Sequence, residues 1–273
     1  MSRYIDRQPV HPNPREKKVI LLSFGRNATL GFYHALKTLG YKPYHQLEVF
    51  INGIPHLRMM DDAVRASSQN VGPRFTRQDF DKWLGDYDSI TDIPAWLLRD
   101  LVAAYPEAKF ILTERSSEAW RASIKKTFQP FGEFLASPAI RLVGFVDGYT
   151  YYMSRLSESF CYVLYGGYMG PDKEKGLREA VKVYENHNKT AKEIIPPEKL
   201  LVIRLEDGLG WEQICSFLGH EVPDVPYPRV NEAEQFQKMV MRDMLLSWTK
   251  TSLKIASVIV PIVGASVWFA RQR

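Results

Sequence analysis

Residues 18–22 (KVILL), 109–113 (KFILT) and 200–204 (LLVIR) are short apolar runs, each followed by turn residues and then by a stretch with helical spacing, at 30–39, 118–127 and 210–218. A short apolar run bounded by turn residues reads as a buried strand. A fourth strand is expected at residues 89–92, and a helix over 95–105 that stops before Pro106. Strands alternating with helices at this spacing predict an α/β fold, a parallel sheet flanked by helices on both faces. Ligands on such sheets bind beyond the carboxyl ends of the strands. The 273 residues suit one such domain, placed at 18–248, with an appendage at either end.

Residues 128–169 break the rhythm and are crowded with Phe and Tyr. They are expected to form a helical, aromatic-rich cap over one end of the sheet, serving either as a substrate pocket or as plain core. Residues 1–17 are polar and basic with Pro9, Pro12 and Pro14, where a signal peptide would need an apolar run, and read as a disordered lead-in. The tail, 249–273, is different. Residues 255–270 carry no charge and are flanked by Lys250, Lys254, Arg271 and Arg273, so an apolar C-terminal helix is expected there. Three fates are open to it: a membrane anchor or transmembrane helix, packing on the domain, or packing on a second copy in a homodimer.

The net charge of +5 fits an anionic ligand or lipid, and no Lys/Arg run is long enough for a nucleic-acid arm. Cys161 and Cys215 lie far apart with no ligand-like spacing, which suggests neither a disulfide framework nor a metal site and fits a reducing compartment. Asn27-Ala28-Thr29 has the form of a glycosylation acceptor, but a glycan there would block the loop described next, which favours a cytoplasmic domain.

That loop, Ser23-Phe24-Gly25-Arg26-Asn27-Ala28-Thr29-Leu30, joins the first strand to its helix. Backbone N–H groups and the positive end of a helix dipole favour an anion at such a junction, with Arg26 adding a cation and Thr29 a hydroxyl. The loop is P-loop-like without matching GxxxxGK[ST], so an ATPase is not expected. Arg115, at the end of the 109–113 run, and Ser123, two turns into the next helix, can aim at one anion, or else form a surface pair with Glu118 and an exposed helical Ser.

In order along the chain, SFGRNAT, YDSITDIPA, KFILTERSSEAWRAS and the segment from HNKTAKEI to PYPRVNE resemble the sulfotransferase superfamily, its fungal-type branch above all. There the counterparts read GLPRTGT, YDAVTDWPA and KVILTVRDPEKWYES. The resemblance implies a 3′-phosphoadenosine 5′-phosphosulfate donor and a small-molecule acceptor, with no metal. Its 5′-phosphosulfate would lie on Gly25, Arg26, Asn27, Ala28, Thr29 and Leu30, and its 3′-phosphate on Arg115 and Ser123. Arg26 would stabilise charge on the bridging oxygen. Asp92 stands where related enzymes carry the general base, and the plain alternative is a strand-end carboxylate that pairs with an Arg or caps the next helix. His45 is a second candidate base or substrate contact, or a structural histidine.

Four residues depart from the family loop: Gly25 for Pro, Asn27 for Thr, Ala28 for Gly and Gly31 for a hydroxyl residue. The expected function is therefore sulfuryl transfer to a hydroxyl of a small molecule of secondary metabolism. The alternatives are a donor-free relative doing acid/base chemistry such as elimination or cyclisation, and a non-catalytic membrane-tethered protein.

Overall fold

The computed structural model describes residues 3–229 and 232–271. The chain runs β1 (Val19–Leu21), α1 (Thr29–Thr38), β2 (Pro43–Tyr44), α2 (Gln46–Ile51), α3 (Ile54–Gln69), α4 (Arg77–Leu84), β3 (Ser89–Ile90) and α5 (Leu98–Ala104). It continues through β4 (Lys109–Glu114), α6 (Ser117–Lys126), α7 (Phe128–Ala136), α8 (Pro138–Gly144), α9 (Gly148–Leu164), α10 (Lys173–Ile194), β5 (Leu200–Arg204), α11 (Trp211–Leu218) and α12 (Glu232–Arg271). The strands pair in the order β2-β3-β1-β4-β5, and every pairing is parallel. The central strands are apolar at successive positions because both faces are buried. Ile20, Leu22, Phe110 and Leu112 enter the larger core, whereas Val19, Leu21 and Ile111 enter a smaller one with Phe32 and Leu36 of α1 and Ile214 and Leu218 of α11.

The aromatic stretch forms α7, α8 and α9, whose Leu135, Ile140, Tyr149, Met153, Leu156 and Leu164 join the larger core. Strand β2 was not foreseen: it is two residues long, opens on a proline and sits at the sheet edge, where a missing N–H is tolerated. The helix expected over 95–105 begins only at Leu98, after a 3-10 turn at Ile93–Ala95.

Both termini differ from expectation. The lead-in is ordered, as a 3-10 turn at Tyr4–Arg7 with Ile5 fully buried. Arg3 lies 3.0 Å from Asp79 and 2.7 Å from Asp6, and Tyr4 N donates to Asp62 Oδ2 at 2.7 Å. The polar sequence hid this, because its anchors are charged partners far along the chain; Met1 and Ser2 lie outside the described residues. At the other end the boundary at 248 falls inside one continuous helix. Val240 and Met244 of α12 are fully buried, Ser247 Oγ and Thr251 Oγ1 each donate to Asp147 Oδ1 at 2.7 Å, and Trp248 Nε1 donates to Thr150 Oγ1 at 2.7 Å. Among the described residues no helix is long and apolar enough to cross a membrane, which overturns the transmembrane expectation. The uncharged stretch 255–270 rises only roughly 24 Å against a hydrocarbon core of roughly 30 Å. Arg273 of the basic flank lies outside the described residues.

Candidate active site

The site lies where the carboxyl ends of β1, β3 and β4 meet the loop into α1. Among the described residues four non-glycine residues have positive φ, and three of them are here: Arg26 (74°), Ala28 (61°) and Asp92 (65°). Ala28 is the left-handed residue at the start of α1, a place that favours glycine. Asp92 is the centre of a γ-turn of the rare, strained kind, closed by Ile93 N donating to Thr91 O at 2.7 Å. Its carboxylate makes no cap bond to the helical turn it precedes, so the capping alternative fails. Strained backbone held at one place by its surroundings marks a functional site.

Behind the loop the contacts are fully dry. Asn27 is turned inward: its Nδ2 donates to Phe24 O at 3.0 Å, and Tyr184 OH donates to its Oδ1 at 3.3 Å. Thr113 Oγ1 of β4 donates to Asn27 O at 2.6 Å, and Trp120 Nε1 donates to Gly25 O at 3.2 Å while its ring stacks on Tyr184 at 4.3 Å. The departures from the family loop have local causes. A Cβ on Gly25 would stand 3.1 Å from Phe128 Cζ and 3.3 Å from Asp92 Oδ1, and one on Gly31 would stand 2.9 Å from the Pro228 carbonyl oxygen.

Arg26 connects two spaces. Its Nε donates to Ser123 Oγ at 3.0 Å, and its carbonyl oxygen accepts from Arg115 Nη1 at 3.2 Å. The expected Arg115–Ser123 pair is thus brought together around Arg26. Arg115 Nε is buried without a hydrogen-bond partner, as are the Nε atoms of Arg65, Arg121 and Arg155. Arg115 also borders a groove of about 740 Å³ with Asn188, Lys189, Arg204 and Glu206. On the other side Gly25, Arg26, Thr29, Leu30, His45, Gln46 and Asp92 line a half-open cavity of about 100 Å³, walled by aromatic and aliphatic side chains of α7 and α9.

His45 begins α2, and its Nδ1 accepts from Leu47 N at 3.1 Å, which leaves the ring proton on Nε2. Nε2 is 3.5 Å from Thr29 Oγ1 and 3.6 Å from Asp92 Oδ2. Burial, with the potential of His34 added, pushes the His45 pKa down to about 3 and holds the imidazole neutral. A neutral ring whose lone pair is taken by a backbone N–H presents only a donor to the cavity. Phe128, Phe131 and Phe160 come from the aromatic stretch expected as a pocket or core, whereas Gln46 and Trp96 were not singled out from sequence, because they reach the cavity from separate elements.

Residues 18–236 match the sulfotransferase domain family. A protein of Aspergillus versicolor described as Ava biosynthesis cluster protein M is 29% identical over 266 residues, 94% of this chain and 97% of that one. The crystal structure of a sulfotransferase from Alicyclobacillus acidocaldarius is 16% identical, with 84% of this chain and 92% of that one covered at a TM-score of 0.42. Because the family match runs from β1 into the start of α12, the chain belongs to the sulfotransferase domain family and is a sulfotransferase-like transferase.

Proposed function

We propose that the protein moves a sulfuryl group from 3′-phosphoadenosine 5′-phosphosulfate to a hydroxyl of a small molecule of secondary metabolism, a reading supported by a relative described as a biosynthesis cluster protein. The observation that carries this reading is Arg26, which lines the apolar-walled cavity and bonds to Ser123 and Arg115. The residues present fit the donor. Arg115 and Ser123, brought together around Arg26, would hold the 3′-phosphate, and the loop from Gly25 to Leu30 the 5′-phosphosulfate. When bound, the donor supplies an activated sulfuryl group. Asp92 would accept the proton of the acceptor hydroxyl, and the Nε2–H of His45 would orient that carboxylate. Arg26 would hold the negative charge that develops at the loop, and the cavity walls would exclude water.

Isothermal titration with 3′-phosphoadenosine 5′-phosphate tests the reading, and binding is expected. A second reading, donor-free acid/base chemistry in the same cavity, is favoured by two observations: Asn27 faces inward, and Asp92 and His45 stand together whatever fills the loop. Absence of nucleotide binding would transfer the function to it.

We also propose that α12 lies on a membrane surface beyond Thr251, with the domain on the cytoplasmic side. Leu253, Ile259, Val260, Ile262 and Trp268 are exposed along it, and Lys250, Lys254 and Arg271 bracket them. Flotation with anionic vesicles, lost on joint Ile259→Lys and Val260→Lys substitution, is expected. Concentration-dependent dimerisation without vesicle binding would give that face to a second copy.

A further inference from the structure

Strands β1 and β4 run side by side as far as Leu21 and Ile111, and beyond that pair they lead to two different candidate anion contacts, the loop into α1 and Arg115. A nucleotide with a phosphate at each end of its ribose would fix the distance between those contacts, so a group past the end of the ladder has to hold them in register. Tyr184 of α10 stands at that junction, 1% exposed. Its OH accepts from Arg115 N at 3.0 Å, and its one proton is divided between Arg115 O at 3.1 Å and Asn27 Oδ1 at 3.3 Å. Thr113 ties the loop to β4 from the strand itself, through Asn27 O, and Arg115 Nη1 reaches Arg26 O with the guanidinium. Tyr184 instead holds the Arg115 backbone and leaves the guanidinium to a ligand.

The ring is fixed as firmly as the hydroxyl. It stacks on Trp120 of α6 with centroids 4.3 Å and planes 9° apart, and Trp120 Nε1 donates to Gly25 O at 3.2 Å. Three residues further along α10, His187 Nε2 stands 2.8 Å from Leu22 O. One helix therefore grips the end of β1, the loop after it and the first residue past β4. A ring that only filled space here would need no hydroxyl, since burying one is costly unless it is bonded. We infer that Tyr184 is a positioning residue, whose hydroxyl sets the spacing between Arg115 and the loop and so the preference for a nucleotide carrying both a 3′- and a 5′-phosphate over one carrying either alone. The inference rests on the proposed donor. Its physical basis is bivalency: each phosphate binds its own contact, and the second adds its full affinity only where the spacing matches.

The test titrates the full-length protein and Tyr184→Phe with 3′-phosphoadenosine 5′-phosphate, adenosine 5′-phosphate and adenosine 3′-phosphate. Phenylalanine keeps the ring on Trp120 and removes only the hydroxyl. Both single-phosphate nucleotides should bind the variant within about 2-fold of the parent, whereas 3′-phosphoadenosine 5′-phosphate should bind about 10-fold more weakly. A hydroxyl with a structural role alone would lower the melting temperature and weaken all three nucleotides by one factor, or none of them, and either pattern overturns the inference. Asn27→Ala cuts the same tie from the loop side and should show the same selective loss, so the inference can still fail if Tyr184→Phe does not fold. The parent protein reports on the donor separately. If it binds 3′-phosphoadenosine 5′-phosphate no more tightly than the single-phosphate nucleotides, the donor reading fails and takes the inference with it, whereas a parent preference that persists in both variants overturns the role of Tyr184 alone.

Discussion

The two sides of Arg26 are built on different principles. Toward Arg115 lies an open groove whose charged side chains end or follow β4 and β5 or stand in the second half of α10, and where Lys192 already pairs with Glu114 at 2.8 Å. Toward Asp92, His45 and Gln46 lies a largely apolar cavity in which all three polar groups are under one tenth exposed. In the groove, charge faces solvent and a contact is worth what its geometry and screening allow. In the cavity the polar groups are buried, so tautomer and orientation decide what each can do. On the proposed reading the first side would select an anion, and the second would set up proton transfer.

The strongest way to break this division is Asp92→Asn. If proton transfer belongs to the cavity side, turnover should fall about 100-fold or more while 3′-phosphoadenosine 5′-phosphate still binds within a small factor. Unchanged turnover would remove the base from the cavity. The matching change in the groove is Arg115→Ala. It should weaken 3′-phosphoadenosine 5′-phosphate by roughly 1.5–3 kcal/mol more than adenosine 5′-phosphate, since hydrogen bonds from a guanidinium to a phosphate are charge-assisted. An equal weakening of both nucleotides would separate Arg115 from the 3′-phosphate.

His45→Asn sharpens the comparison with a smaller effect. Asn can still accept from Leu47 N as a helix-capping residue, but it removes the Nε2–H that faces Asp92. A fall in turnover of about 10-fold is expected, less than for the base itself. The variant should also be less acid-sensitive. The folded pKa of His45 is about 3, against roughly 6.5 in an unfolded chain, so between those values the unfolded state binds a proton that the folded state refuses. Stability is therefore undiminished above pH 6.5 and is lost as pH falls below it. By roughly pH 5 the loss approaches about 2 kcal/mol for this one group. His56 and His187, each pushed down to about 4 chiefly by burial, act in the same direction and are retained in the variant. Melting curves at neutral pH and near pH 5 should show a smaller acid drop for His45→Asn; an equal drop would mean that the imidazole is protonated in the fold.

The same division explains what could be read from sequence. β1 and β4 were legible because two buried faces impose apolar residues at successive positions, β5 by its apolar run although it is a half-exposed edge strand, and Arg115 because it follows β4. The loop residues were legible as a segment but not by direction. Asn27 belongs to a buried contact with Phe24 and Tyr184, and Tyr184 arrives from α10, 157 residues later. The γ-turn that presents Asp92 leaves no mark in TDIPA, since a strained φ is imposed by surrounding packing. The ordered N-terminus escaped for a similar reason: Asp62 and Asp79 are its partners, and charge in a polar stretch reads as solvated until they are in place.

The smallest expected effect concerns the loop that both sides share. Ala28 sits at φ 61° and ψ 28° at the start of α1, where a Cβ is disfavoured by roughly 1–2 kcal/mol relative to glycine. Ala28→Gly should relieve that strain but give back part of it, because glycine makes the unfolded chain more flexible by roughly 0.4–1 kcal/mol. The net gain should be below about 1 kcal/mol, a rise in melting temperature of about 1–3 °C for a domain of this size. Nucleotide affinity should change little, because Arg26, Arg115 and Ser123 are untouched and Asn27 fixes the loop from behind. A large gain in affinity would mean that the Ala28 Cβ obstructs the anion, and that the loop diverged at the expense of the donor. A loss of stability would mean that the left-handed turn carries no strain there, and the density of positive-φ residues could then no longer be used to mark this site.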